Sequence, residues 1–150
     1  MVTHLDSAEH CIRSAVDAAE RMAGVTVEDV HVSVTCGRLK SDSFSASVAL
    51  ASGAVRDDDV QRLLAGGRQY AARDKRTVLH ALPTGYRLDE NSGISEPQGM
   101  CGERLSVDLH AVTADEVAMR NLMLVVERCH LGVASLVAAP IRARWRSYAR

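Results

Sequence analysis

Arg104 to Thr113 reads RLSVDLHAVT, and the alternation within it decides the fold. Leu105, Val107, Leu109 and Ala111 take every second position, with Arg104, Ser106, Asp108 and His110 between them. That is the period of a strand whose two faces meet different surroundings. Such a strand needs neighbours and a cover. Upstream, Asp57, Asp58 and Asp59 cluster where carboxylates suit the positive end of a helix dipole. Val60, Leu63, Leu64 and Ala71 then give the helix a buried face, although Gly66-Gly67 inside it costs roughly 1 kcal/mol per glycine relative to alanine. Before this helix, Phe44, Ala46, Val48 and Leu50 alternate with Ser43, Ser45 and Ser47 up to a Ser52-Gly53 turn. After it, Thr77 to Leu82 predicts a short strand ended by a Pro83-Thr84-Gly85 turn. Tyr86 to Leu88 reads as another brief extended piece. From Asp89 to Gly102, Asn91-Ser92-Gly93, Pro97, Gly99 and Gly102 predict an irregular loop.

Outward from this strand–helix–strand–strand core, the flanks alternate helix with strand. At the N-terminal side, Asp6 with Glu9 predicts a capping box. Ile12, Val16, Ala19 and Ala23 recur at helical spacing, and Gly24 stands where a left-handed C-cap belongs. Val30, Val32 and Val34 then alternate with His31, Ser33 and Thr35, a half-buried strand. At the C-terminal side, Thr113 with Glu116 predicts a second capping box, for a helix with Met119, Leu122, Val125, Val126 and Cys129 on its apolar face. Gly132 is expected to end that helix, with Val133 to Ala139 a final buried strand. The outer elements therefore predict a parallel α/β layer that carries an inserted α+β unit.

Composition narrows the function classes. The chain has 150 residues, the length of one domain or two small lobes. Its 18 basic and 19 acidic residues leave a net charge of −1, against the basic excess a nucleic-acid binder needs. Aromatic residues are 3% of the total, too few for base-stacking platforms. Cys11, Cys36, Cys101 and Cys129 are widely spaced, with no C-x-x-C pair. They predict reduced, mostly buried thiols of a cytosolic protein, with neither a zinc site nor a disulfide framework. No apolar run approaches the roughly 18 residues of a membrane span, and the N-terminus is not a secretion signal.

Several stretches, in order, carry a resemblance. They are Ala15 to Val34 (AVDAAERMAGVTVEDVHVSV), Gly37 to Ser41 (GRLKS), Val78 to Pro83 (VLHALP) and Gly85 to Asp89 (GYRLD). Gly93 to Met100 (GISEPQGM), Arg104 to Thr113 and Asn121 to Leu131 (NLMLVVERCHL) complete the set. Together, from about Ser7 to Pro140, they resemble the FtsA family of bacterial cell-division proteins, relatives of actin-like ATPases. The resemblance implies an actin-like layer, partial here, over residues 1–36 and 114–140, a strand–helix–strand–strand insert over 37–113, and a basic tail over 141–150. Family members bind the FtsZ filament, attach it to the inner membrane through a C-terminal amphipathic helix and recruit later division proteins. Their insert contacts neighbouring FtsA molecules and later division proteins.

The resemblance does not extend to everything the family does. The family binds ATP between two phosphate loops, the first expected before Ser7 and the second after Pro140. Neither a glycine-rich phosphate cradle nor a G-K-[ST] triplet occurs in this sequence. ATP binding therefore does not carry over, FtsZ binding does not because the resemblance does not reach the half that holds FtsZ in the family, and no cofactor or metal is expected. The expectation is a non-enzymatic interaction module whose partners are FtsA or other division proteins, with homo-oligomers among the outcomes. It would act in the cytoplasm at the inner membrane's division site. The alternatives are a truncated, largely inactive FtsA fragment, with Val30–Thr35 and Val133–Ala139 as unpaired edges, and an ATPase remnant.

Candidate contact residues follow from the strand at Arg104. With Leu105, Val107 and Leu109 turned to the helix, Arg104, Ser106, Asp108 and His110 are left to meet a partner, and an exposed edge there would accept an added strand. Met100 offers a flexible thioether to an interface, or packs beneath its loop. In the tail, Ile141, Trp145 and Tyr148 fall at i, i+4 and i+7 among four arginines, a pattern predicting at most weak lipid association. His80 and His110 read as imidazoles beside a sheet. Cys129 and His130, neighbours on a helix, point about 100° apart and make no thiol–imidazole pair.

Overall fold

The computed structural model describes residues 4–139. They divide into two compact units, one of Lys40–Thr113 and one of the flanks up to Leu39 and from Ala114 onward. The fold is α+β. The candidate lipid contacts Ile141, Trp145 and Tyr148 lie outside the described residues.

The inserted unit holds β2 (Lys40–Ala49), α2 (Asp57–Ala71), β3 (Arg76–Leu88) and β4 (Asn91–Ile94), with β5 (Arg104–Asp115) running to its end. Its four strands lie in the order β2-β5-β3-β4. β2 and β5 are antiparallel and pair one to one from Lys40 opposite Thr113 to Ala49 opposite Arg104. With this register the odd residues of β5 share a face with the even residues of β2. Leu105, Val107 and Leu109 are buried there with Leu50, Val55, Val60, Leu63 and Leu88, and Phe44, Ala46 and Val48 pack against them. Each large side chain removed from water contributes about 1.5–3 kcal/mol. Helix α2 thus covers one face and leaves the other open.

The start of α2 shows why the acidic cluster is there. Asp59 is buried, and its carboxylate accepts the Arg56 N–H at 3.1 Å and the Arg62 guanidinium at 3.1 Å. Within the helix the two glycines differ. A Cβ on Gly66 would meet nothing within 4 Å, whereas one on Gly67 would collide with Leu109 Cδ1. Gly67 lets helix and sheet approach. We expect Gly66→Ala to raise stability by up to about 1 kcal/mol, since alanine is the better helix former. Gly67→Ala should lower it by a net ~1 kcal/mol, because overpacking outweighs that gain. Urea denaturation of the two variants checks the opposite signs.

Several sequence expectations are corrected here. Pro83-Thr84-Gly85 is no turn: β3 runs unbroken through it. The pairing of β4 with β3 starts only at Tyr86 and Leu88, so at Pro83 the strand has an open side where a missing N–H removes no ladder bond. The expected loop from Asp89 contains β4, a short hairpin partner of β3 closed through Asp89 at φ +53°. Thr113 is not a cap. It is buried in β5, where Arg76 Nε donates to its Oγ1 and Arg76 Nη2 to its carbonyl, both at 2.8 Å.

The flanking unit holds α1 (Leu5–Ala23), β1 (Asp29–Val34), α3 (Glu116–Arg128) and β6 (Gly132–Ala138). β1 and β6 form a parallel two-stranded sheet with one register shift after Val30, so each strand has a partner on one side and, among the described residues, an unpaired edge on the other. Asp115 caps α3, accepting the Ala118 N–H at 3.1 Å. α3 ends at Arg128, and His130 at φ +61° turns the chain so that Gly132 opens β6 instead of closing the helix. Gly24 does terminate α1, at φ +70°. The Asp6–Glu9 capping box does not form. The helix starts at Leu5 behind His4, and Glu9 instead binds Arg13 at 2.8 Å and Arg128 at 3.1 Å. The cysteines are free, but Cys11 and Cys101 are exposed and Cys36 and Cys129 half-buried.

Candidate functional site on the open face of the sheet

Alternation places Ser41, Ser43, Ser45 and Ser47 of β2 on the open face, beside Ser106, Asp108 and His110 of β5. Register sets the pairs: Ser43 stands opposite His110, Ser45 opposite Asp108 and Ser47 opposite Ser106. The side chains then connect. Ser41 Oγ lies 3.0 Å from His110 Nε2, and Ser43 Oγ lies 3.2 Å from Nδ1. In a neutral imidazole one nitrogen donates and the other accepts, so the two serines take complementary roles.

Asp108 organises the other half. Ser45 Oγ donates to its Oδ1, and Arg87 Nη2 donates to the same oxygen at 3.0 Å and to Ser45 Oγ at 3.2 Å. Thr84 Oγ1 donates to the Asp108 carbonyl at 3.1 Å, fastening β3 to β5. Arg87 and Asp108 are roughly half exposed, so their ion pair contributes at most about 1 kcal/mol to stability. Its effect is to orient both groups. The Arg87 Nε beneath is buried without a hydrogen-bond partner.

This arrangement differs from that of a hydrolytic triad. In a triad the second ring nitrogen of the histidine donates to a carboxylate. Here both nitrogens of His110 meet serines, and the Asp108 carboxylate is occupied by Arg87 and Ser45. His80 is half-buried on β3. Cys129 Sγ points to the Glu9 carbonyl at 3.6 Å, while His130 is exposed in the turn after α3. They form no pair.

Of the residues expected from sequence, Ser106, Asp108 and His110 are brought together on this face. Arg104 shares their parity at the start of β5, with its backbone N–H held by Asp89 Oδ1 at 2.9 Å. Met100 is held elsewhere: it is 40% exposed, and its carbonyl accepts the Val55 N–H at 2.9 Å. Packing beneath its loop is thereby corrected. The expectation of an edge at β5 is corrected as well, because β5 lies between β2 and β3 and both its sides are paired. Arg87 and the serine row were missed as site residues. Their signal was the parity of β2 and the continuity of β3, and the latter was hidden by Pro83.

On the covered side, a cleft of about 280 Å³ opens between β2 and the end of α2, lined by Lys40, Asp42, Phe44, Tyr70, Arg73 and Asp74 among others. Phe44 and Tyr70 pack with ring centroids 4.8 Å apart and planes tilted by 41°, and the Arg73 guanidinium lies 3.2 Å over the Tyr70 ring. Its cations and carboxylates nearly balance, so no one ligand charge is selected. In the glycine-bearing segment before β5, the N–H of Gly99 donates to Val55 O, that of Met100 to Pro97 O and that of Gly102 to Gly53 O. Amides used this way cannot bind phosphate. No helix among the described residues is long and apolar enough to cross a membrane.

Comparison with known proteins agrees with the architecture. Residues 36–113 match the family described as "SHS2 domain inserted in FTSA". The chain is 46% identical over 140 residues to the cell division protein FtsA of Agrobacterium fabrum, covering 93% of this chain and 32% of that protein. It is 31% identical over 137 residues to FtsA of Pseudomonas aeruginosa, covering 91% and 33%. Against FtsA of Escherichia coli K12 the identity is 28% over 144 residues, covering 96% and 34%. The chain therefore spans about a third of the length of the curated relatives it matches.

Proposed function

The chain belongs to the FtsA family of cell-division proteins, and from that premise we propose that its inserted unit is a non-catalytic binding module of the division machinery. It contacts FtsA molecules or later division proteins at the septum, on the cytoplasmic face of the inner membrane. The supporting observation is the open face, where Ser45, Arg87 and Asp108 hold one another and Ser41 and Ser43 hold His110 before any partner arrives. Groups already ordered lose little conformational entropy on binding, so complementarity is converted to affinity rather than spent on immobilisation. The serines on both ring nitrogens of His110 argue in the same direction.

The test is a pull-down of full-length FtsA and of later division proteins with the chain and with Asp108→Ala. Removing Asp108 frees Arg87 and Ser45 from their shared acceptor, and capture should weaken by about tenfold or more. Silence of the parent chain across all of these proteins would overturn the reading. So would saturable heat on titration with Mg-ATP.

A further inference from the structure

We propose that the cleft between β2 and the end of α2 is a binding site for a small zwitterion with an apolar body, of the chemical class of a free aromatic α-amino acid. It lies on the covered side of the sheet, away from the serine row, and does not depend on the binding-module reading. Lys40, Asp42 and Phe44 take alternate positions on β2 and all line the cleft. One strand face therefore presents a cation, a carboxylate and an aromatic ring in steps of about 7 Å. The floor is small there, because Asp42 stands opposite Ala111 and Lys40 opposite Thr113. Phe44 packs beside Tyr70 in the last turn of α2, and the helix ends at Ala71. Asp42 and Lys40 run on past it.

The charges that line the cleft are unequally engaged. Arg76 donates to the hydroxyl and the carbonyl of Thr113, both at 2.8 Å. Arg73 donates to the Tyr70 carbonyl at 2.9 Å and lies over the Tyr70 ring. By contrast, among the described residues the side chains of Lys40, Asp42 and Asp74 make no hydrogen bond or ion pair. One ammonium and two carboxylates thus stand open. A simple anion drawn to Lys40 is repelled by Asp42, and a simple cation meets the reverse. A molecule with both charges satisfies both residues at once. An α-amino acid carries its ammonium and carboxylate on one carbon and, with a charge-assisted hydrogen bond at each end, bridges a gap of this size. Asp74 and the negative end of the α2 dipole add to the ammonium's side. The ring of the ligand then packs on Phe44 and Tyr70. Size agrees: about 280 Å³ is just below the roughly 300–1,000 Å³ of drug-sized sites, which suits a molecule as small as an amino acid.

NMR titration of the isotope-labelled, full 150-residue chain with L-phenylalanine checks this. Shifts should saturate with a dissociation constant of about 1 mM or lower. Phenethylamine lacks the carboxylate and hydrocinnamate lacks the ammonium, and each should bind at least about tenfold more weakly. Substitutions then assign the two charges separately. Lys40→Gln should weaken L-phenylalanine about tenfold and leave phenethylamine unchanged. Asp42→Asn should weaken L-phenylalanine by a similar factor, while hydrocinnamate binds no worse than to the parent. Both side chains are exposed and unpaired, so the urea midpoints of the two variants should match the parent's. The inference is overturned by shifts that do not saturate, by one-charge analogues that bind as well as L-phenylalanine, or by variants that weaken all three probes alike.

Discussion

Leu109→Ala is expected to lower the stability of the inserted unit by about 3–5 kcal/mol. Leu109 is 1% exposed and lies in the buried cluster where β5 meets α2. Truncation forfeits the transfer free energy of its methyl groups and leaves a void that cannot collapse easily. Gly67 already brings the helix backbone close, and β5 is fixed by pairing on both sides. With a typical domain stability of 5–15 kcal/mol, the variant should unfold at markedly lower urea, followed by far-ultraviolet circular dichroism. The same contact predicts strong coupling. Gly67→Ala places a methyl group where Leu109 Cδ1 stands, so in the Leu109→Ala background it should cease to destabilise. A double-mutant cycle should show ~1–2 kcal/mol of interaction, far beyond the near-additivity of separated sites. Additive losses would mean that helix and strand do not meet at this point.

What was legible in the sequence follows from the range of each signal. β5, β2 and α2 are written in local periods, because each has one face in the core and one outside, and their side chains alternate accordingly. β3 was cut in two because Pro83-Thr84-Gly85 carries the chemistry of a turn. The open side of β3 at Pro83 tolerates it, and that is a property of the sheet, invisible in the tripeptide. β4 was missed because Asn91-Ser92-Gly93 has no apolar alternation; its pairing with Tyr86 and Leu88 creates the strand. Thr113 and Asp115 both suit a cap. The choice fell to Asp115 because Arg76 holds Thr113 inside the sheet.

The candidate site divides the same way. The parity of β5 was enough to place Ser106, Asp108 and His110 on one face. Which serine meets which partner depends on the register between strands some 60 residues apart in sequence, and Arg87 joins only because β3 is continuous. The expectation that β5 would offer an edge failed for a related reason. Alternation reports two faces but says nothing of lateral neighbours, and it is β2 that ends the sheet.

Gly37→Ala is the second large effect, in the flanking unit. Gly37 has φ +82°, a conformation that costs an L-residue roughly 1–2 kcal/mol. An added Cβ would also fall 2.8 Å from Met119 Cε and 3.4 Å from Ala118 Cβ. Met119 is fully buried, so its terminal methyl has little room to retreat, and overpacking of this kind costs about 1–3 kcal/mol. The backbone cannot simply relax away, because the Gly37 carbonyl accepts the N–H of Asp115, the residue that caps α3, at 2.7 Å. The expected loss is about 2–4 kcal/mol, read as a lower urea midpoint and as faster amide hydrogen exchange through α3. Met119→Ala added to Gly37→Ala separates the two causes. It removes the clash and leaves the dihedral penalty, so the second substitution should cost less in the alanine background than in the parent. If Met119→Ala costs the same in both, the contact with Gly37 contributes nothing and the whole loss belongs to the backbone.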